Sequence, residues 1–270
     1  MKKVALITGA SSGMGKSAAL NLHQQGYTVY GAARRTERMK DLEEKGIGVL
    51  KLDLTDDASI VKAVDTILEK EGRIDILINN AGYGSYGAVE EVPIEEARRQ
   101  FEVNMFGLAR ITQLLIPKMR EQKSGRIVNI SSMGGKIYTP FGAWYHATKF
   151  ALEGWSDCLR LELKQFGVDV VLVEPGGIQT EWGGIAMEGL KKVSGNGPYA
   201  SMVEKVVESS NKNEDRLTHV DVLGKEIAKA ATVRNPKTRY LKGYLAKPLV
   251  TMRKWLGDRT FDKILLSQLK

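Results

Sequence analysis

The chain has 270 residues, 43% of them hydrophobic and 27% charged, and 40 Lys+Arg against 32 Asp+Glu give a net charge of +8. These values exclude disorder, collagen and a coiled coil as descriptions of the whole, and the length suffices for one large α/β unit with a sizeable core. A single cysteine, Cys158, excludes an intramolecular disulfide framework and a cysteine-based zinc site.

Short β-branched runs alternate with longer helical patterns. The first run, VALIT (4–8), is continuous rather than alternating, as expected for a strand buried on both faces. Its apolar stretch is shorter than a signal-peptide core. No run approaches the roughly 18 apolar residues of a membrane span, so a cytoplasmic protein is expected. The run leads into Thr8-Gly9-Ala10-Ser11-Ser12-Gly13-Met14-Gly15 and then the helical KSAALNLHQQG. Glycines at a strand-to-helix turn let the backbone approach a bulky anion. The helix N-terminus behind them offers free N–H groups to phosphate. Gly9, Ser11, Ser12, Gly13, Met14 and Gly15 are therefore the candidate phosphate-binding residues. The spacing is G-x-x-x-G-x-G, not the commoner G-x-G-x-x-G, and a tight turn with no ligand is the competing reading.

The second run, TVYGAA (28–33), ends in Ala33-Arg34-Arg35. Dinucleotide folds that use NAD often carry an acid here for the ribose 2′-hydroxyl. Ala33 stands in its place, and a guanidinium suits a 2′-phosphate. Arg34 and Arg35 therefore point to NADP(H), against a solvated basic helix start. After GVLKL (48–52) comes Asp53-Leu54, where a carboxylate can accept from an adenine amino group or cap the next helix, SIVKAVDTILEKEG. The fourth run, IDILINN (74–80), ends in Asn80-Ala81-Gly82. A helical stretch, NMFGLARITQLLIPKMREQ, begins at Asn104.

The fifth run, RIVNISS (126–132), ends in Ser131-Ser132. Tyr145-His146-Ala147-Thr148-Lys149 then heads a helical pattern that runs to Gly167. Residues i and i+4 share a helix face, so Tyr145 and Lys149 can point together at the carboxyl ends of strands four and five. A nearby ammonium lowers a phenol's pKa, and such a tyrosine can exchange a proton with a carbonyl or alcohol oxygen. Ser132 can hydrogen-bond the same oxygen. His146 is expected to pack or to line the pocket, and Cys158 to be a buried small hydrophobe. His23 and His219 lack companions at metal-ligand spacing, so no metal is expected. The sixth run is VDVVLVEP (168–175), and a weaker seventh is TRYLK (238–242). Between these two, residues 181–217 are rich in Gly, Ser and Asn and break the rhythm, as an insertion covering a ligand crevice would.

Residues 231–270 hold ten Lys/Arg and two Asp, so the first 230 residues sum to zero. A chain-wide nucleic-acid footprint is thereby disfavoured. The tail, 246–270, mixes these cations with Leu, Val, Trp and Phe. Three readings are open: a helix packed on the domain or a subunit neighbour, a closure for the substrate pocket, or a contact with an acidic membrane surface.

Taken together, the T-G-x-x-x-G-x-G turn, N-N-A-G at 79–82, Ser132, and Tyr145 with Lys149 thirteen and seventeen residues later resemble the short-chain dehydrogenase/reductase family. The resemblance covers about 1–180, with weaker matching to about 245. It implies an α/β, Rossmann-type doubly wound parallel sheet of about seven strands in a single domain. Residues 1–245 would form the NADP-binding unit. By position, Asn80 resembles the asparagine beside the adenosine ribose, and Asn104 one that helps hold a water-linked proton relay. Lys149 resembles the lysine that bonds the nicotinamide ribose and depresses the tyrosine pKa. Pro175, Gly176, Ile178 and Thr180 resemble the loop at the carboxamide end of the nicotinamide. The implied activity is hydride transfer between a nicotinamide and a carbonyl or alcohol, with Ser132, Tyr145, Lys149 and Asn104 as the catalytic set. A homodimer or homotetramer through helices at roughly 100–122 and 145–167 is implied as well. Apolar residues Tyr83, Tyr86, Met133, Tyr138, Phe141, Trp144, Trp182 and Met187 are expected in the pocket wall, which suggests an apolar small-molecule substrate. The rival from another class is a non-catalytic NADPH-binding redox sensor, which would not need the tyrosine.

Overall fold

In the computed structural model, which describes residues 2–267, VALIT forms β1 (Val4–Thr8), buried at all five positions. α1 (Gly13–Gln24), β2 (Thr28–Ala33), α2 (Lys40–Glu43), β3 (Gly48–Lys51) and α3 (Asp57–Glu71) follow. Next come β4 (Ile76–Asn79), α4 (Ile94–Phe101), α5 (Gly107–Glu121), β5 (Gly125–Ile130), α6 (Ala143–Leu163) and β6 (Val168–Pro175). The chain closes with β7 (Ile178–Gln179), α7 (Glu181–Ser194), α8 (Ala200–Lys212), β8 (Thr218–His219), α9 (Val220–Thr232), β9 (Arg239–Lys242) and α10 (Ala246–Ser267). The last three residues of the tail lie outside the described residues.

Seven strands make one parallel sheet in the order β3-β2-β1-β4-β5-β6-β9. Alternate residues of β1 serve two cores, which is why its run is continuous. Ala5 and Ile7 pack under α1 and α9, against Ala18, Leu22, Leu223 and Ile227. Val4 and Leu6 pack under α3, α5 and α6, against Ile60, Val64, Ile111, Leu115 and Leu159. α1 and α9 approach so closely that a Cβ on Gly224 would fall 2.1 Å from Ser17 Oγ. β1 and β4 start in register because buried Asp75 accepts from the Val4 N–H at 2.8 Å and is held by Arg73. The strand order reverses between β1 and β4, and in such sheets the ligand crevice opens there, beyond the carboxyl ends.

Some local features differ from the sequence reading. Asp56, not Asp53, caps α3, accepting from the Ala58 N–H. Asp53 instead folds back on Thr55, accepting from its N–H and its hydroxyl. Cys158 is exposed, on the outer side of α6. Residues 181–217 form two helices, and short strands β7 and β8 pair in parallel at their base. α10 bends at Gly257, whose φ of 71° is left-handed.

Candidate active site

The crevice beyond β1 and β4 is a cleft of about 500 Å³. Its floor is the glycine turn. Gly9 (φ 69°) and Gly13 (φ 56°) adopt backbone conformations that other residues adopt only at a cost. A Cβ on Gly9 would also fall 2.8 Å from Ala81 Cα. Ser12 stands at the α1 N-cap position without using its hydroxyl as a cap, so the first-turn donors and that hydroxyl face the cleft. Asn80 braces the turn: its side-chain amide donates to the Thr8 and Gly9 carbonyls at 3.0 and 3.1 Å.

At one end the cleft is lined by Ala33, Arg34, Arg35, Asp53 and Leu54. Arg34 and Arg35 are exposed. The Thr55 donors and the Arg34 and Arg99 guanidiniums hold Asp53 below the usual carboxylate range, against the opposing effect of burial. From the neighbouring turn, Arg38 makes a two-pronged ion pair with Glu181 at the head of α7. That pair ties the β2 end of the cleft to the inserted helices.

At the other end stand Ser132, Tyr145 and Lys149. Ser132 follows β5, and its hydroxyl accepts from the Gly134 N–H at 3.0 Å while reaching the Tyr145 phenol. Tyr145 and Lys149 lie one turn apart on α6, both less than a tenth exposed. Burial pushes the phenol up to about 12, with the Ser132 hydroxyl pulling against it. Lys149 stands beside that ring. The ammonium lies 5.9 Å from the ring centroid and donates to the Ile130 carbonyl at 2.8 Å. Burial drags Lys149 itself down to about 8. A phenol raised in this way keeps its proton at neutral pH.

His146 turns out to be structural. Its Nδ1 meets the Gly134 carbonyl at 2.8 Å, and its Nε2 accepts from the Thr139 N–H at 3.0 Å. A neutral ring with the proton on Nδ1 satisfies both, and burial lowers its pKa accordingly. The ring thus fixes the loop that carries Ser132. Behind the site, Glu174 precedes Pro175-Gly176 and is pushed up to about 7 by burial and by Glu153, with Lys136 and Arg239 opposing. Lys136 and Arg239 also meet Glu153 at 2.8 and 3.0 Å, joining the Ser132 loop, α6 and β9.

Of the candidate residues, the cleft brings together Gly9, Ser11, Ser12, Gly13, Met14, Arg34, Arg35, Asp53, Leu54, Asn80, Ala81, Gly82, Ser132, Tyr145, Lys149, Pro175, Gly176, Ile178 and Thr180. Gly15 and Asn104 lie outside its lining. A Cβ on Gly15 would sit 2.3 Å from Asn80 Nδ2, so its small size serves packing of the turn. Asn104 is buried in a π-helical turn, Glu102–Phe106. Its side chain bonds the Tyr83 N–H, the Tyr83 carbonyl and the Thr148 hydroxyl at 2.9–3.1 Å.

Tyr83, Tyr86, Met133, Trp182 and Met187 line the cleft as expected, and Tyr86 and Trp182 flank the Tyr145 ring at 5.8 and 5.2 Å. Tyr138, Phe141 and Trp144 are not part of its wall. Phe141 packs with Leu190 and Val203 beneath the inserted helices, and Tyr138 turns to the tail, donating to Asp262. Ser210 and Leu217 join the wall from the inserted segment. Among the described residues there is no metal-binding cluster and no helix long and apolar enough to cross a membrane.

Residues 3–189 match the family model described as short chain dehydrogenase. The chain is 38% identical to the 3-ketodihydrosphingosine reductase of Bacteroides thetaiotaomicron over 95% of its own length and 94% of the relative's. It is 34% identical to the NADPH-dependent 3-dehydrocapnine reductase of Ornithobacterium rhinotracheale, covering 99% and 98%. A solved short-chain dehydrogenase from Streptomyces avermitilis superposes with a TM-score of 0.81 at 34% identity, covering 98% of this chain and 97% of that one. With the sheet order, the glycine turn and the Ser132, Tyr145 and Lys149 group, these likenesses identify the chain as a short-chain dehydrogenase/reductase, an oxidoreductase built to bind a nicotinamide cofactor.

Proposed function

We propose that the protein is an NADPH-dependent reductase of a ketone or aldehyde borne on an extended apolar molecule. The observation that carries this reading is half-buried Ser132 beside buried Tyr145, facing a cleft whose far end presents two exposed arginines. The cofactor fits this chain: Gly9, Gly13, Ser12 and the α1 N-terminus suit its pyrophosphate, and Arg34 with Arg35 its 2′-phosphate. Asp53, Leu54, Asn80, Ala81 and Gly82 would border the adenosine. Pro175, Gly176, Ile178 and Thr180 would border the nicotinamide. When bound, the cofactor supplies the hydride.

The chain's own residues supply the proton and the alignment. Ser132 holds the substrate oxygen by a hydrogen bond. Tyr145 gives its phenolic proton to that oxygen as negative charge develops there. The Lys149 ammonium beside the ring offsets the negative charge that Tyr145 carries once its proton is given, and Asn104 fixes the helix beside it. Tyr86, Trp182 and Met187 exclude water from the reacting oxygen.

Residues 1–245 act as the cofactor-binding unit, residues 181–217 as the cover of the substrate end, and 246–270 as a basic amphipathic tail. The two relatives named for a 3-keto and a 3-dehydro substrate support a ketone within a longer molecule, as does the aromatic wall. Exposed Phe106, Phe150 and Leu161, on or beside α5 and α6, support a homodimer or homotetramer through those helices. The test of function is NADPH oxidation by the purified protein against ketones of rising chain length, with NADH in parallel. Turnover that rises with chain length and prefers NADPH is expected. Turnover confined to small polar ketones, or equal with NADH, refutes the respective part of the reading.

A further inference from the structure

The tail carries a feature that the reductase reading leaves unused. α10 is pinned to the domain at two places. Phe261 is fully buried and meets the Tyr138 ring edge-on at 5.5 Å, while Asp262 accepts from the Tyr138 hydroxyl at 2.8 Å. Arg253 lies over that ring, 5.2 Å from its centroid. Between these anchors the helix bends at Gly257, around which an added Cβ would meet nothing within 4 Å. The residues just before the bend are Trp255 and Leu256. Trp255 is 75% exposed, the highest value of any large hydrophobic among the described residues, and Leu256 is 49% exposed. Neither belongs to a core cluster of the fold among the described residues.

The elbow is also cationic. Lys247, Lys254, Arg259 and Lys263 lie before and after it along α10 and are exposed. The segment's two acids are engaged: Asp258 pairs with Arg253, and Asp262 is bonded to Tyr138. The four cations take no part in those contacts, and Lys254 stands 5.7 Å over the Trp255 ring. Exposed Trp and Leu on a segment whose free charges are cations match a surface that is anionic outside and apolar just beneath. A nucleic acid offers the charge without the apolar layer. A second copy of the chain, elbow to elbow, would set the same cations against each other.

We propose that this elbow docks the protein on anionic lipid bilayers, with Trp255 and Leu256 in the interface and Lys254, Arg259 and Lys263 at the headgroups. Its position suits such a role. Tyr138, which holds the tail, lies between Ile137 and Thr139, and both of these line the substrate end of the cleft. Docking there brings that end near the bilayer surface. The inference stands apart from the reductase reading because binding is measured without turnover.

The test is co-sedimentation with vesicles of equimolar phosphatidylcholine and phosphatidylglycerol, against phosphatidylcholine alone, at low and high salt. The expected result is sedimentation with the anionic vesicles only, weakened by salt. W255A/L256A lowers partitioning roughly tenfold or more. K254Q/R259Q/K263Q lowers it on the order of a hundredfold. Both variants change exposed side chains, and unchanged NADPH binding and thermal midpoint confirm that each is folded. Absence of sedimentation for the unaltered protein overturns the proposal, as does undiminished sedimentation of W255A/L256A. A dimer that W255A/L256A dissociates, with no vesicle binding, assigns the elbow to a second copy and overturns it too.

Discussion

The arginine pair after β2 gives the sharpest quantitative expectation. Arg34 and Arg35 are exposed side chains at the lip of the cleft, and Arg38 beside them is already engaged by Glu181. A charge-assisted, two-pronged contact from guanidinium to phosphate contributes about 1.5–3 kcal/mol. The site is exposed, so the lower end of that range applies. Arg34→Ala should therefore weaken NADPH binding about tenfold and leave NADH binding nearly unchanged. Ala33→Asp added to it places a carboxylate at the end of β2. Repulsion of a nearby phosphate at an effective dielectric near 20 is worth a few kcal/mol at contact, and solvent reduces it to about 1. The same carboxylate can accept from a ribose hydroxyl of NADH. The double variant should thus change the NADPH/NADH affinity ratio by roughly a hundredfold. Fluorescence titration of each reduced cofactor, at two salt concentrations, measures it. Salt should weaken NADPH binding more in the unaltered protein than in the variant. A ratio that stays within about twofold would show that the 2′-phosphate is read elsewhere, and the argument from Arg34 would fail.

Other expectations test separate parts of the account. Lys149, drawn down to about 8 by burial, should give kcat/KM for reduction a loss with an apparent pKa near 8 as its ammonium deprotonates; a profile flat from neutral pH to pH 10 would contradict this. Glu174 sits at about 7, above its ordinary value. The native state therefore holds a proton that the unfolded chain releases, and stability falls as pH rises from about 4.5 to about 7. Glu174→Gln should flatten the thermal midpoint across that window, and an unchanged slope would count against it. Gly224→Ala forces a methyl to within 2.1 Å of Ser17 Oγ, so it should cost about 1–3 kcal/mol by separating α1 from α9. Urea unfolding would reveal a neutral effect if that contact relaxes freely. Arg38→Ala frees the head of α7 from the β2 turn and should raise KM for substrate with little change in kcat; a fall in kcat alone would speak against a positioning role.

Much of the architecture was legible because the information is local and repeated. Continuous runs such as VALIT and VDVVLVEP have one physical home, a strand covered on both sides. The helix pitch alone places Tyr145 and Lys149 on one side of α6. What escaped depends on contacts between distant segments. Gly15 reads as a phosphate residue, yet its constraint comes from Asn80, 65 positions away. Asp53 reads as a possible cap, but α3 starts four residues later at Asp57, so Asp56 takes that place. Phe141 and Tyr138 read as pocket aromatics, but one is taken up by α7 and α8 and the other by α10. No sequence period marks Ser210 or Leu217 as cleft residues, because the inserted helices fold over from beyond β7. The proximity of Lys149 to Tyr145 on a helix was visible, but the Ile130 carbonyl that takes the ammonium, and the burial that raises the phenol, are tertiary.

The central claim is that Tyr145 delivers the proton in a carbonyl reduction. The most direct measurement compares unaltered protein with Tyr145→Phe on the ketone reduced fastest, with NADPH affinity determined on the same samples. The account predicts a rate lower by at least about a hundredfold with NADPH affinity within a factor of two. A variant that binds NADPH normally and still reduces the ketone at a comparable rate would contradict it.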